Sequence, residues 1–357
     1  MLKTRICELL GIRYPIIMAS MAWVSNADMV VAISNAGGLG TLGPNAGATT
    51  ITRDPKETGA RLRAQIRKTK ELTTKPFAVN ILVPGPGEET FSETTVRVAI
   101  EEGVPVAIVS QGSGRVYTER LKKAGMKVLH VVGTPRHARS AEASGVDAVI
   151  TSGTEGGGHS GFNQLTTFTL VPQVADTVKI PVIAGGGVGD GRGLLAALAL
   201  GAEGIYMGTR FIATKECPVH QNWKEALVRS EATDTVAITH GRGSATDTVD
   251  VQAEMRFGSV RCLRNEFVQY LLTLETKAKT PEEIMDFFLS PPSGYEGKEV
   301  SRSMIPAVYG DIIQGGMGTG QVVGLIKDIP TCQELIEQIV GEAEETLNQL
   351  CKARNKS

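Results

Sequence analysis

Residues 180–211 read IPVIAGGGVGDGRGLLAALALGAEGIYMGTRF. Pro181–Gly187 is a short apolar run ending in three glycines, Gly191–Leu200 is amphipathic, and Gly204–Arg210 is apolar again. That is a strand, a helix and a second strand. The same alternation extends back to the start of the chain. Strands are expected at Pro15–Met18, Leu39–Gly43, Phe77–Leu82, Val106–Ser110, Lys127–Val132 and Ala148–Gly153. Helices are expected between them at Asn26–Ala36, Pro55–Glu71, Thr90–Glu102, Arg115–Ala124, Pro135–Ser144 and Thr167–Val178. Eight strands alternating with helices predict an α/β protein with a (β/α)8 TIM barrel. The rival, an open doubly wound sheet, usually has fewer strands and a glycine-rich turn after the first. Here ASMAW (19–23) follows the first strand and the dense glycines come late.

Beyond residue 214 the pattern changes. Helices are expected at Gln221–Ser230, Val260–Lys279, Glu282–Leu289 and Thr331–Lys352. Two segments without clean periodicity, 241–258 and 290–303, read as lids or interface loops. The expected organisation is a cofactor-binding barrel over 1–230, then a smaller, mostly helical region over 231–330 forming part of the substrate entrance. A C-terminal helix over 331–357 closes the chain.

Composition narrows the function. The 357 residues are 41% hydrophobic and 21% charged, enough apolar material for a full core. Lys+Arg 37 against Asp+Glu 38 leaves a net charge of −1 without a basic block, which argues against nucleic acid or a membrane surface as partner. No apolar run approaches the length of a membrane span, and MLKTRICELLGIRYP has no signal-peptide pattern. Five cysteines, odd in number and without a C-x-x-C pair, read as reduced thiols in a cytoplasmic protein.

Barrel enzymes work at the C-terminal ends of their strands. Gly185–Gly187 follows the seventh strand, and Met207-Gly208-Thr209-Arg210 follows the eighth. Glycines there let backbone N–H groups approach phosphate oxygens, and a helix start adds a favourable dipole. Asp190, taken alone, is a helix cap. His159 sits in EGGGHSG (155–161) after the sixth strand, where a ring can meet substrate with a pKa near neutrality. Asn80, ending PFAVN, points to ligand contact. His130 ends the fifth strand, while His137, His220 and His240 read as solvated; no pair has metal-ligand spacing, so no metal is expected. No strand end carries a Schiff-base lysine, and residues 152–166 contain no cysteine for a covalent thioimidate. Flavin mononucleotide is the ligand that remains.

At these residues the chain resembles the nitronate monooxygenase (2-nitropropane dioxygenase) family, near relatives of the FMN-dependent enoyl-acyl-carrier-protein reductases of the second type. The stretches that carry the resemblance are YPIIMASMAWVSN (14–26), NAGGLGTLG (35–43), KPFAVNI (75–81), EGGGHSG, residues 180–211 and GQVVGLIKDIP (320–330). The resemblance implies FMN, with Met18, Ala19, Ser20 and Met21 along the flavin ring and Asn80 and Gly157 against the cofactor. It implies phosphate contacts from Gly186, Gly187, Gly208 and Thr209; Ser152 and Met207 are further expected cofactor-binding residues. His159 matches the family's histidine: neutral, it would remove the α-proton of a nitroalkane, and protonated, it would stabilise the nitronate anion.

Two departures stand out. Ser152 occupies a position where many monooxygenases carry glutamine, and Ala19–Ser20 one where a Gly-Gly pair is common. MAW, EGGGH and LTT (165–167) are at least as close to the reductases. The expected function is oxidation of alkyl nitronates with O2. The alternative is an NAD(P)H-dependent FMN reductase acting on enoyl-acyl-carrier-protein or quinones, with Arg210 and Lys215 available for nicotinamide phosphates. A flavin-binding protein without turnover is the third reading. The expected partner is a small-molecule substrate, and a homo-oligomer is left open.

Overall fold

KVLHVV (127–132) illustrates how the chain builds its repeat. β-branched residues favour the extended backbone, and Thr134 then stops the strand by capping a helix. Its hydroxyl accepts from His137 N at 3.1 Å, and Pro135 takes the first helical position, where a missing N–H costs nothing. The computed structural model describes residues 3–52, 54–83, 89–159, 164–238, 259–277, 283, 287–288 and 290–354. Eight parallel strands form its centre: β1 (Ile16–Met18), β2 (Gly40–Leu42), β3 (Phe77–Leu82), β4 (Val106–Ser110), β5 (Lys127–Val132), β6 (Ala148–Ser152), β8 (Val182–Gly185) and β9 (Gly204–Met207). Their order is β1-β9-β8-β6-β5-β4-β3-β2. Leu39 closes the ring against β1, donating to Ile16 O and accepting from Met18 N, both at 2.9 Å. The expected barrel is the fold.

Its interior is filled by side chains, as barrels require. Ile17, Leu39, Ala78, Ile108, Leu129, Ile150 and Ile183 are fully buried there, and Ile6 and Leu10 of the helix α1 (Arg5–Leu10) plug one end. The outer helices include α2 (Ala27–Asn35), α3 (Pro55–Leu72), α4 (Glu89–Glu101), α5 (Thr118–Lys123), α6 (Pro135–Ala143), α7 (Thr167–Ala175) and α8 (Gly191–Ala199). The C-terminal helix Cys332–Arg354 packs on α8.

Several boundaries differ from expectation. The seventh strand stops at Gly185, because Gly186 (φ +95°) and Gly187 (φ +71°) turn into the left-handed region that favours glycine. The eighth stops at Met207, because residues 209–212 form a helical turn. The expected helix 115–124 is split into a 3₁₀ turn, Gly114–Val116, and a helix, Thr118–Lys123.

The expected helix over 260–279 begins only at Glu266, capped by Asn265, whose Oδ1 accepts from Val268 N at 2.8 Å. Val260–Leu263 is instead the strand β11, the middle of a small antiparallel sheet, with β10 (Thr235–Ile238) on one side and β7 (Gly158–His159) on the other. Its alternation of buried Val260, half-buried Arg261 and buried Cys262 is a strand pattern that a helical reading overlooks. Most of 282–289, all of 241–258, and His240 lie outside the described residues.

Candidate functional site

One cavity of about 1000 Å³ opens at the C-terminal ends of the strands. It brings together Ala19, Ser20, Met21, Asn80, Ser152, Gly157, His159, Gly186, Gly187, Met207, Gly208 and Thr209. Met18 is the exception: it lies fully buried in β1 and does not reach the wall. The reason is that the wall begins where β1 ends, one residue later.

The seventh and eighth strand ends form the glycine-rich side. A Cβ on Gly186 would sit 2.9–3.0 Å from backbone atoms of Gly153, so that glycine is required by packing as well as by φ. Gly208 is different. Its φ of −109° suits any residue, and an added Cβ would meet only Ala19 Cβ and Met21 Sδ at 3.5 Å, an ordinary contact. The protein itself does not demand glycine here; the side chain that is missing leaves room in the cavity. Among the described residues no Asp or Glu lines the cavity. An open glycine beside a carboxylate-free wall fits an anionic group such as a phosphate.

The expected contribution from the start of α8 is not available. Gly193 N is taken by the Asp190 carboxylate at 2.9 Å, and Gly191 N by Glu342 at 3.0 Å. Two acids close that end, so Asp190 is a cap and the start of α8 has no free N–H at Gly191 or Gly193 to offer a ligand.

His159 is placed by a partner far away in the chain. It pairs with Val260 in the antiparallel sheet, and Gly158 pairs with Arg261. Arg261 reaches back to hold the loop, its Nε donating to Thr154 O at 2.9 Å. Gln321 N donates to Glu155 O at 2.9 Å, and the Glu155 carboxylate accepts from Thr167 N and Oγ1 at 2.9–3.0 Å. The loop is therefore gripped from both sides, which fixes where an exposed imidazole can reach.

Gly157 and Gly320 meet backbone to backbone. A Cβ on Gly157 would lie 2.6 Å from Gly320 N, and one on Gly320 would lie 2.7 Å from Glu155 O. Gly320 N also donates to the Thr209 hydroxyl at 2.9 Å, tying this contact to the end of β9. Gly320→Ala is expected to cost about 1–3 kcal/mol through overpacking. Its φ is −85°, so size alone is responsible. A thermal melt checks this, and an unchanged Tm would mean the contact does not hold the loop.

Asn80 is buried and anchored: its Nδ2 donates to Ile108 O at 3.0 Å and to Ser110 Oγ at 2.9 Å. With both amide hydrogens used, its Oδ1, which lies 3.4 Å from the Ser110 hydroxyl, keeps an acceptor position for a ligand. Tyr206, also on the wall, accepts from Ser20 N at 3.0 Å, and burial raises its pKa. Cys262 lines the cavity too, but burial pushes its thiol up to about 12, which removes it as a nucleophile at neutral pH.

The histidines need correction. His137 is not solvated: its Nε2 lies 3.3 Å from both His130 Nε2 and Gly112 O. A carbonyl can only accept, so His137 Nε2 carries a proton and His130 Nε2 faces it as acceptor. Burial, then the adjacent His137, push the His130 pKa down to about 3, so it stays neutral. Burial also lowers the His137 pKa. His130 does not reach the wall; His137 does.

Arg210 is not free for a nicotinamide phosphate. Its side chain is 4% exposed and its Nη2 lies 2.6 Å from Asp328 Oδ1, outside the cavity wall. Lys215 lies 3.7 Å from Glu334. Sequence reading overlooked Trp23, Gln111, Gly112, Arg136 and His137 on the wall. Gln111, Gly112 and Arg136 follow strand ends and were findable on that ground. Trp223, Ser301 and Ser303 were not, because only tertiary packing brings them in.

A family model described as nitronate monooxygenase matches residues 3–342. The (3aS,4S,5R,7aS)-5-hydroxy-7a-methyl-1-oxo-octahydro-1H-indene-4-carboxyl-CoA dehydrogenase of Mycobacterium tuberculosis is 34% identical, with 96% of each chain covered. A probable nitronate monooxygenase of Staphylococcus saprophyticus is 36% identical over 66% of this chain and 75% of its own. The structure of FabK from Thermotoga maritima superposes with a TM-score of 0.83 at 36% identity, covering 99% of this chain and 100% of that one.

Proposed function

We propose, from the premise that this chain belongs to the nitronate monooxygenase family, that it is an FMN-dependent oxidoreductase acting on an acyl thioester. The observation that carries the substrate class is the cavity. Its volume, about 1000 Å³, stands at the top of the range of about 300–1000 Å³ usual for small-molecule sites. That leaves room for a flavin and a substrate much larger than a nitroalkane. The dehydrogenase of M. tuberculosis, similar along almost the whole chain and named for a carboxyl-CoA, supports the same class.

When bound, FMN supplies two-electron redox chemistry. Gly186, Gly187, Gly208 and Thr209 would hold its phosphate, and the Asn80 oxygen would accept from one of its N–H groups. His159 would act at the substrate. Neutral, it takes a proton from the carbon next to the thioester carbonyl; protonated, it stabilises the enolate oxygen. The largely apolar wall keeps water from competing. The region 231–330 acts as part of the substrate entrance, a role supported by Cys262, Phe288, Ser301 and Ser303 on the wall.

Oxidation of a small nitronate is the second reading, supported by the S. saprophyticus relative. Anaerobic absorbance separates the two. On the thioester reading, a saturated acyl-CoA bleaches the flavin, or an enoyl-CoA reoxidises flavin already bleached by NADH or NADPH. Bleaching by a small nitronate, with no response to any thioester, would overturn the first reading in favour of the second.

A further inference from the structure

The cavity has two chemically different ends, and strand order sets them apart. Going round the barrel as β1-β9-β8-β6-β5-β4-β3-β2, the ends of β4 and β5 lie across the mouth from those of β1 and β9. Above β4 and β5 the wall is polar and basic, with Gln111, Thr134, Arg136, His137 and Ser140. Burial lowers the His137 pKa and disfavours its charged form, so the permanent charge on the wall at this end belongs to Arg136. Arg139 follows one turn later on α6, and Arg115 sits on the 3₁₀ turn packed against that helix. Both are exposed, and among the described residues neither meets a carboxylate. The next basic side chains along the chain are already matched: Arg120 by Glu93, Lys122 by Asp147 and Lys123 by Glu119.

Across the mouth the wall is aromatic. Both tryptophans of the chain, Trp23 and Trp223, line it together with Ile51 and Phe288. Trp23 is held at φ +67°, a conformation that bulky side chains rarely adopt. It packs with Ile51 on Val300, Met304 and Ile305. Strain of this kind persists where the surroundings over-determine it, commonly at a ligand site.

From this polarity we infer that a coenzyme A thioester lies across the mouth, its acyl group between Trp23, Trp223 and Phe288 and its phosphate-bearing nucleotide at Arg115, Arg136 and Arg139. The inference rests on the thioester reading above and adds a direction to it. The reverse orientation would carry phosphate charges against an aromatic wall to which, among the described residues, no arginine contributes, and where their lost hydration is poorly replaced. His159 reaches the space between the two ends from the loop after β6. A nicotinamide dinucleotide shares the nucleotide and pyrophosphate, so the test must separate the two sources.

The measurement is calorimetric binding of coenzyme A, pantetheine and NADPH to the flavin-loaded enzyme, wild type against Arg136→Gln and Arg115→Gln/Arg139→Gln. Each exposed arginine is expected to account for about a 2- to 5-fold change in coenzyme A affinity, fading with added salt. Pantetheine, which has no phosphate, should bind equally to all forms. In parallel, Phe288→Ala should raise KM for a bulky cyclic acyl-CoA more than for a short one, without changing the Kd for coenzyme A. Arginine dependence of NADPH alone would overturn the inference and give that end to the nicotinamide donor. Thioester turnover at the wild-type rate with unchanged coenzyme A affinity in every arginine variant would also overturn it, while leaving the thioester reading standing.

Discussion

Gly208→Asp is expected to give a folded, colourless protein. The fold tolerates a side chain at this position, because an added Cβ meets only Ala19 Cβ and Met21 Sδ at 3.5 Å and the backbone φ is −109°. With the phosphate at the proposed position, the cofactor should not tolerate it. A carboxylate would enter a wall that has no acid among its described residues and would face the phosphate directly. At a separation of about 4 Å and an effective dielectric near 20, two unit charges repel by about 4 kcal/mol, roughly a thousandfold in affinity. A phosphate bearing more than one charge makes the loss larger. Gly208→Ala is the control: it adds the contact without the charge and should keep part of the flavin. Flavin absorbance per protein, with circular dichroism to confirm folding, gives the answer. Full occupancy in Gly208→Asp would move the phosphate elsewhere.

His159→Gln should fall chiefly at the chemical step. The residue is exposed, and its backbone pairing with Val260 does not depend on the ring. Stability and flavin content should therefore match wild type. Loss of a positioned proton-transfer group should lower kcat by about 10²–10⁴-fold. Glutamine keeps polarity and approximate size but cannot exchange the proton. Wild-type kcat with thioesters, nitronates and nicotinamide alike would remove His159 from the mechanism.

Much of the site was legible because it follows from local pattern. A residue just past a barrel strand faces the mouth whatever its neighbours do, so Gly186 and Gly208 could be placed from the strand ends alone, and Ser152, the last residue of β6, with them. Met18 shows the limit of that rule, since a shift of one residue moves a side chain from the mouth into the packed wall. His137 shows another. Its position on an amphipathic helix resembles a solvated one, and only the fold brings His130 and Gly112 O against it.

The sequence by itself determined the barrel and its glycine-rich strand ends, because each depends on short-range periodicity and on glycine at turns. It also carried the family, through long motifs in order. The tertiary structure decided how His159 is held, since β7 has two residues and finds its partner, Val260, about a hundred positions away. No local propensity encodes such a pairing. It likewise decided that two acids cap α8 while Gly208 stays open, and that Trp23, Trp223 and Arg136 line one cavity. Those distinctions arise from contacts between distant segments, where packing rather than pattern selects the neighbour.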